Sequence, residues 1–413
     1  MAIIKPFRAL RPPAALAGRV AALPYDVMST AEAKRMAAKN EYSFLHISRP
    51  EIDLPPDVDS HSDPVYLQGS ENLARFIREG ILVQDETESY YVYRQVMGAV
   101  AQTGLVVCAG VDDYQQGIIK KHELTRADKE EDRVRHIDIL DANDEPVFYT
   151  FRHDPVIDEL LKSVTAGSAE YDFKSDDNVR HTLWVVSDSD MIASFTKAFE
   201  SIPCLYVADG HHRSAAASRV RDLRKMANPR HTGVEEYNYF LTVIFPDTEL
   251  NIMPYNRAVK DLNGHTVAEF IALVSRSFEI TPLQGCPEVK ERHSFGMYLA
   301  GRWYELSARE ESFAAADPVG CLDVSLLQNN LLSPVLGIRN PRTDQRIHFV
   351  GGIRGSGELE RLVENGEYEV AFSLFHTTVA ELMSLADADK IMPPKSTWFE
   401  PKLRSGLFIH LLY

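Results

Sequence analysis

Cys204-Leu205-Tyr206-Val207-Ala208-Asp209-Gly210-His211-His212-Arg213 is the stretch that decides how this chain reads. Residues 204–208 are a short apolar run, so a buried strand is expected. Asp209-Gly210 is a turn signal. Ser214-Ala215-Ala216-Ala217-Ser218 then has high helix propensity and no breaker. A strand, a tight turn and a helix start follow in that order. Amide groups at a helix N-terminus, backed by the helix dipole, favour an anion. Gly210 lets the backbone approach a ligand closely. His211, His212 and Arg213 add imidazoles and a guanidinium, and arginine suits bidentate contact with phosphate. Asp209 either holds a divalent metal or orients a histidine. The plainer alternative is a capped helix, with Asp209 as N-cap and the histidines at the surface. A metal site from Asp209, His211 and His212 is a third reading, although neighbouring helical side chains point in different directions.

Around this motif lie 413 residues, enough for two domains. We expect a boundary near residue 240, with the motif's core in 1–240 and a further α/β region in 241–413. The hydrophobic fraction of 45% argues for packed cores rather than disorder. The net charge of −16 opposes a large polyanion partner such as nucleic acid. Four cysteines without CxxC spacing read as reduced thiols, and the expected location is the cytoplasm. No signal peptide is expected at Met1-Ala2-Ile3-Ile4-Lys5-Pro6, and no apolar run is long enough to span a membrane. Strands are expected at residues 42–48, 90–95, 104–111, 146–151, 182–186 and 239–245. Helices are expected at 72–80, 125–138 and from His211 to about Met226. Residues 52–64 read as a long loop, and 405–412 as a final strand. The class is α+β.

Asp-Gly-His-His-Arg after an apolar strand resembles the phosphate motif of the ParB/sulfiredoxin superfamily, and within it the free L-serine kinases. Landmarks across the chain also look like a widespread bacterial domain-of-unknown-function family, numbered ten-fifteen in its series. They are Lys5-Pro6-Phe7-Arg8-Ala9-Leu10, Leu23-Pro24-Tyr25-Asp26-Val27, Ser43-Phe44-Leu45-His46-Ile47, Lys121-His122-Glu123, Ala208 to Arg213, and Met392 to Pro401. The resemblance implies a ParB/sulfiredoxin-like core. It also implies Glu123 as catalytic base, Asp209 for metal or hydroxyl positioning, and Gly210, His211, His212 and Arg213 for phosphate. Glu123 and Asp209 are 86 residues apart, a longer spacing than in compact kinases, and Glu130, Glu131 or Asp132 are alternative bases.

Phosphoryl transfer to an alcohol needs a phosphate cradle, a cation and a carboxylate to accept the hydroxyl proton. The motif offers the first, Mg²⁺ on Asp209 the second and Glu123 the third, with Lys121 and His122 as further phosphate contacts. Cations beside Glu123 would keep it ionised; by pattern alone it reads as a solvated charge. Arg133 and Arg135 sit in a run of alternating charge and read as a salt-bridged helix face. Lys395, Ser396, Thr397 and Trp398 could close over a substrate, or simply pack before the last strand; Tyr25 and Asp26 could face a ligand or form a turn. The expected activity is a small-molecule kinase using ATP, ADP or another phosphate donor, with free L-serine as acceptor and a homodimer as an allowed assembly. The rival is a non-catalytic nucleotide or phosphate sensor. Histidine at position 211 disfavours sulfiredoxin chemistry, which needs a cysteine there. P-loop, zinc-protease, esterase and dinucleotide-binding strings do not occur.

Overall fold

The computed structural model describes residues 1–313 and 316–413. The fold is α+β, in two compact units: Met1–Leu250 with Pro401–Tyr413, and Asn251–Glu400. The division expected at 240/241 falls inside the strand Tyr239–Pro246, which hydrogen-bonds within the first unit's sheet. Residues 401–413 also return to that unit, a long-range pairing that local sequence cannot signal.

The first unit is built on a nine-stranded mixed sheet. From one edge its order is Ile119–Lys120, Leu205–Asp209, Val147–Phe151, Tyr239–Pro246, Val100–Gly110, Tyr90–Met97, Arg180–Val186 and Tyr171–Lys174; Ile4–Lys5 also pairs with Val100–Gly110. Central strands are apolar on both faces because both faces are covered. Ile157, Leu161, Phe195 and Phe199, from the helices Pro155–Thr165 and Ser189–Phe199, join Tyr90, Val92 and Leu105 in one core. Elsewhere in the unit, the helices Ala127–Leu140 and His211–Ala227 meet through Val134, Ile137, Ala216 and Val220.

A strand was expected over 42–48, yet Leu45–Ser48 is a short helix. Phe44, Leu45 and Ile47 are all buried in a cluster with Phe76, Ile409 and Leu411, and that packing overrides the residues' strand preference. The helix expected at 72–80 begins earlier and runs Asp63–Arg78, so the loop before it is shorter than expected. Only His410–Leu411 of the last segment forms a strand. All four cysteines are thiols; Cys108 is buried and the other three half-buried. No helix among the described residues is long and apolar enough to cross a membrane.

The second unit carries a six-stranded antiparallel sheet, ordered Phe278–Leu283, Arg302–Ala308, Ser294–Leu299, Val370–Leu374, Tyr255–Val259 and Ile347–Gly351. The helix Gly355–Glu364 buries Leu359 and Leu362 against it.

Candidate functional site

The motif strand Leu205–Asp209 lies second from the sheet edge, between an antiparallel and a parallel neighbour. The antiparallel register slips between Val207 and Asp209, and such an irregularity re-aims the side chains beside it. Gly210 follows with φ 91° and ψ 32°, a left-handed conformation, and is itself the N-cap residue of His211–Ala227. The capped-helix alternative therefore does not apply: glycine has no side chain to cap with, and Asp209 Oδ1 instead accepts the Gly210 amide at 2.8 Å. Ser214 anchors the first turn from inside, donating to Gly210 O at 3.1 Å and accepting from the Tyr149 hydroxyl at 2.9 Å.

The edge strand Ile119–Lys120 runs parallel to the motif strand, with Ile119 opposite Leu205 and Lys120 opposite Tyr206. Parallel strands release their chains at the same end of a sheet. Continuing that register brings His122 and Glu123 beside Ala208 and Asp209. The rings of His122 and His211 meet edge-to-face with centroids 4.5 Å apart. One ligand-type atom from each of His122, Glu123 and His211 lies within 4.8 Å of the others. The 86-residue spacing is thus closed by a single strand pairing.

His122 is 1% exposed and His211 7%. Burial pulls the His122 imidazole down to about 4, against the Asp209 charge. Burial, and then His122 itself, pushes His211 well below the usual histidine range. Both rings are therefore neutral at pH 7. Among the described residues, neither nitrogen of His122 has a hydrogen-bond partner, nor does Nε2 of His211. The Val207 backbone approaches His122 without making a hydrogen bond of normal geometry.

Asp209 is tied to Lys402, whose Nζ sits 2.8 Å from Oδ2 in the segment that returns at residue 401. The Asp209 side chain keeps 30% exposure. Burial would raise its carboxyl, but Lys402, Arg213 and the Gly210 amide hold it well below the ordinary range. One Asp209 oxygen thus meets an ammonium and the other an amide, which ties the ionised carboxylate to Lys402 and to the Gly210 turn.

Arg213 is 7% exposed and points inward. It donates to Pro146 O, and its charge is held by Asp26, Glu145 and Asp209 against the cost of burial. Tyr25 and Asp26 lie in the single turn Tyr25–Val27, and the Asp26 charge acts on Arg213. The Tyr25 amide donates to Glu145 at 3.0 Å, and the Arg133 guanidinium covers the Tyr25 ring at 4.0 Å. Arg133, read from sequence as part of a salt-bridged helix face, pairs with Asp132 but is buried, while Arg135 pairs with Asp63 as that reading implies. His212 is half-buried and accepts the Arg126 amide at 3.1 Å; with Asp209 on Lys402, the trio Asp209, His211 and His212 does not converge. Lys121 is exposed, its ammonium 4.1 Å from the centre of the Tyr114 ring.

The alternative bases are engaged elsewhere. Glu130 and Glu131 pair with Arg219, and Asp132 with Arg133, His61 and the Tyr66 hydroxyl. Lys395, Ser396, Thr397 and Trp398 belong to the second unit. There Lys395 has φ 59° and an ammonium over Tyr255, Ser396 donates to Pro393 O at 2.7 Å, and Trp398 donates to Glu400 at 2.8 Å and packs edge-on against Tyr255. Sequence reasoning missed Glu145 and Lys402. Nothing local marks either residue.

A protein-family model described as "Protein of unknown function (DUF1015)" matches residues 4–325. The chain belongs to that family. This DUF1015 member matched no curated protein. Among solved structures it is similar to a conserved hypothetical protein from Pyrococcus furiosus, with 15% identity and TM-score 0.36 over 75% of this chain and 97% of that one. A free serine kinase mutant in complex with AMP gives 13% identity and TM-score 0.36, over 74% and 92%. SbnI with a C-terminal truncation, from Staphylococcus aureus, gives 10% identity and TM-score 0.40, over 74% and 87%.

Proposed function

We propose that this DUF1015 protein is a small-molecule kinase that moves a phosphoryl group from a nucleotide, ATP or ADP, to a hydroxyl, with free L-serine as the acceptor. The observation that carries this reading is the parallel pairing that brings His122-Glu123 to the helix start at Gly210. A carboxylate beside a phosphate-type helix terminus supplies two of the three parts that the transfer needs, the cradle and the proton acceptor.

The donor phosphates lie against the amides of the first helical turn, His211 to Arg213, where the helix dipole favours negative charge. His212 and Lys121 supply side-chain contacts from the rim. The Lys402 ammonium, fixed by Asp209, adds positive charge at the same end of the strand. Arg213 acts from within: it braces the Gly210 turn and gathers Asp26 and Glu145 behind it. Glu123 takes the proton of the acceptor hydroxyl. The motif's likeness to ParB/sulfiredoxin phosphate sites and the cytoplasmic setting belong to the same reading.

The test is direct. Protein is incubated with ATP or ADP, Mg²⁺ and L-serine, and O-phosphoserine is sought by ³¹P NMR. Product that depends on serine and falls about 10²–10⁴-fold in Glu123→Gln supports the reading. Nucleotide binding without product, for serine and for a panel of small alcohols, would replace it with a phosphate sensor.

A further inference from the structure

Two buried imidazoles with idle nitrogens are costly unless something occupies them. A polar group taken from water without a partner costs about 1–3 kcal/mol. Among the described residues His122 leaves both ring nitrogens without a partner and His211 leaves Nε2, three in one small volume. Glu123 brings a carboxylate to the same place. We propose that His122, Glu123 and His211 form a binding site for one transition-metal ion of the Zn²⁺ type.

The donor set selects the class of ion. Imidazole nitrogen suits Zn²⁺, Co²⁺, Ni²⁺ or Fe²⁺, whereas Mg²⁺ and Ca²⁺ take oxygen. Two histidines and one carboxylate leave further positions for water or substrate, as open zinc sites do. Zn–N distances of about 2.0–2.1 Å imply ligand atoms about 3.4 Å apart in a tetrahedron. The three donors lie within 4.8 Å of one another, so closure needs a contraction of at most about 1.4 Å. The site is also held by the fold. His211 is set by the Gly210 turn and the Ser214 anchor, and His122 by the strand pairing before it.

This inference goes beyond the phosphoryl-transfer reading and does not depend on it. A metal on Glu123 lowers the basicity of its carboxylate, so Zn²⁺ is predicted to inhibit any transfer that Glu123 assists.

Binding is measured without nucleotide, on the full chain freed of any affinity tag and of metal. Co²⁺ is titrated while the visible d–d bands are followed, and Zn²⁺ is then used to displace it. One equivalent of Co²⁺ is expected, with absorption bands of low coordination number that Zn²⁺ bleaches. His122→Ala and His211→Ala should each weaken binding by about tenfold or more, a loss at least as large as outer-shell changes cause. Glu123→Gln, on a half-buried loop residue, tests the set without emptying the core, and should weaken binding in the same direction. His265→Ala, in the second unit, should bind like the parent. Substoichiometric cobalt, or a spectrum unchanged in Glu123→Gln and in the histidine variants, would overturn the proposal. Neither result bears on whether O-phosphoserine forms.

Discussion

Gly210→Ala tests whether the turn that opens the motif helix is as constrained as it looks. The backbone there has φ 91°, where an L-residue loses about 1–2 kcal/mol relative to glycine. An added Cβ would stand 3.1 Å from Val147 Cγ1, 3.2 Å from Arg213 Cζ and 3.2 Å from Arg213 Nε. Neither neighbour yields freely: Val147 is in the sheet and Arg213 is bonded to Pro146 O. Repacking by a few tenths of an ångström adds about 1 kcal/mol, typical of mild overpacking. The sum is about 2–3 kcal/mol. Because the chain has two units, global unfolding is the wrong readout. Hydrogen exchange on peptides covering Leu205–Asp209 and the first turns of His211–Ala227 reports the local cost. Protection there should fall by about 30- to 150-fold, at about 1.4 kcal/mol per decade. Gly210→Asn should lose less, since asparagine tolerates the left-handed region, and the difference isolates the backbone share. Protection within about threefold of the parent in Gly210→Ala would refute the constraint.

Three further outcomes follow from the same geometry. Lys402→Met removes the first of the charges holding Asp209 ionised, so the Asp209 carboxyl should titrate higher by NMR, with a stability loss of about 1–2 kcal/mol, discounted for its remaining exposure; an unmoved titration would contradict the pairing. His181 is fully buried, bonded to the Tyr93 hydroxyl at 2.7 Å, and burial followed by the Arg404 charge pulls its pKa down to about 3. The folded state thus resists protonation that the unfolded chain accepts from about pH 6.5. Stability is fully present above that pH and drains as pH falls toward 3, by about 2 kcal/mol at pH 5 (one and a half pH units at about 1.4 kcal/mol each). Hydrogen exchange on peptides covering Arg180–Val186, corrected for the intrinsic pH dependence and compared between the parent and His181→Gln from pH 7 to 5, checks this, and parallel slopes would remove His181 from the account. Tyr149→Phe takes away the donor to buried Ser214 and should cost about 1–2 kcal/mol, read as faster exchange in the first turn of the motif helix; no change there would mean that Ser214 is anchored without it.

Much of this was legible in local sequence, and the limits are instructive. The run of residues 204–208 with Asp209-Gly210 and an alanine-rich continuation specified strand, turn and helix, because each step has its own short-range signal. Charge alternation did not reveal that Arg133 turns inward onto Tyr25, since periodicity reports a face and not its covering. The neighbourhood of Glu123 depended on which strand pairs with which, and in parallel order, which no local pattern encodes. Lys402 was invisible for the same reason: it reaches Asp209 across 193 residues. The composition at Lys395–Trp398 suggested a ligand-facing segment, yet the Trp398 ring stands 2.7 Å from where a Gly351 Cβ would be, so an aromatic beside a glycine strand is also a packing signature.

The central claim is that nucleotide phosphate lies against the amides that open the helix at His211. Crystals grown with ADP measure it most directly. The account predicts the terminal phosphate within hydrogen-bond reach of the His211 and His212 amides, with Glu123 facing the open side of the same phosphate. Density for ADP bound elsewhere, or an empty helix start at saturating nucleotide, would contradict it.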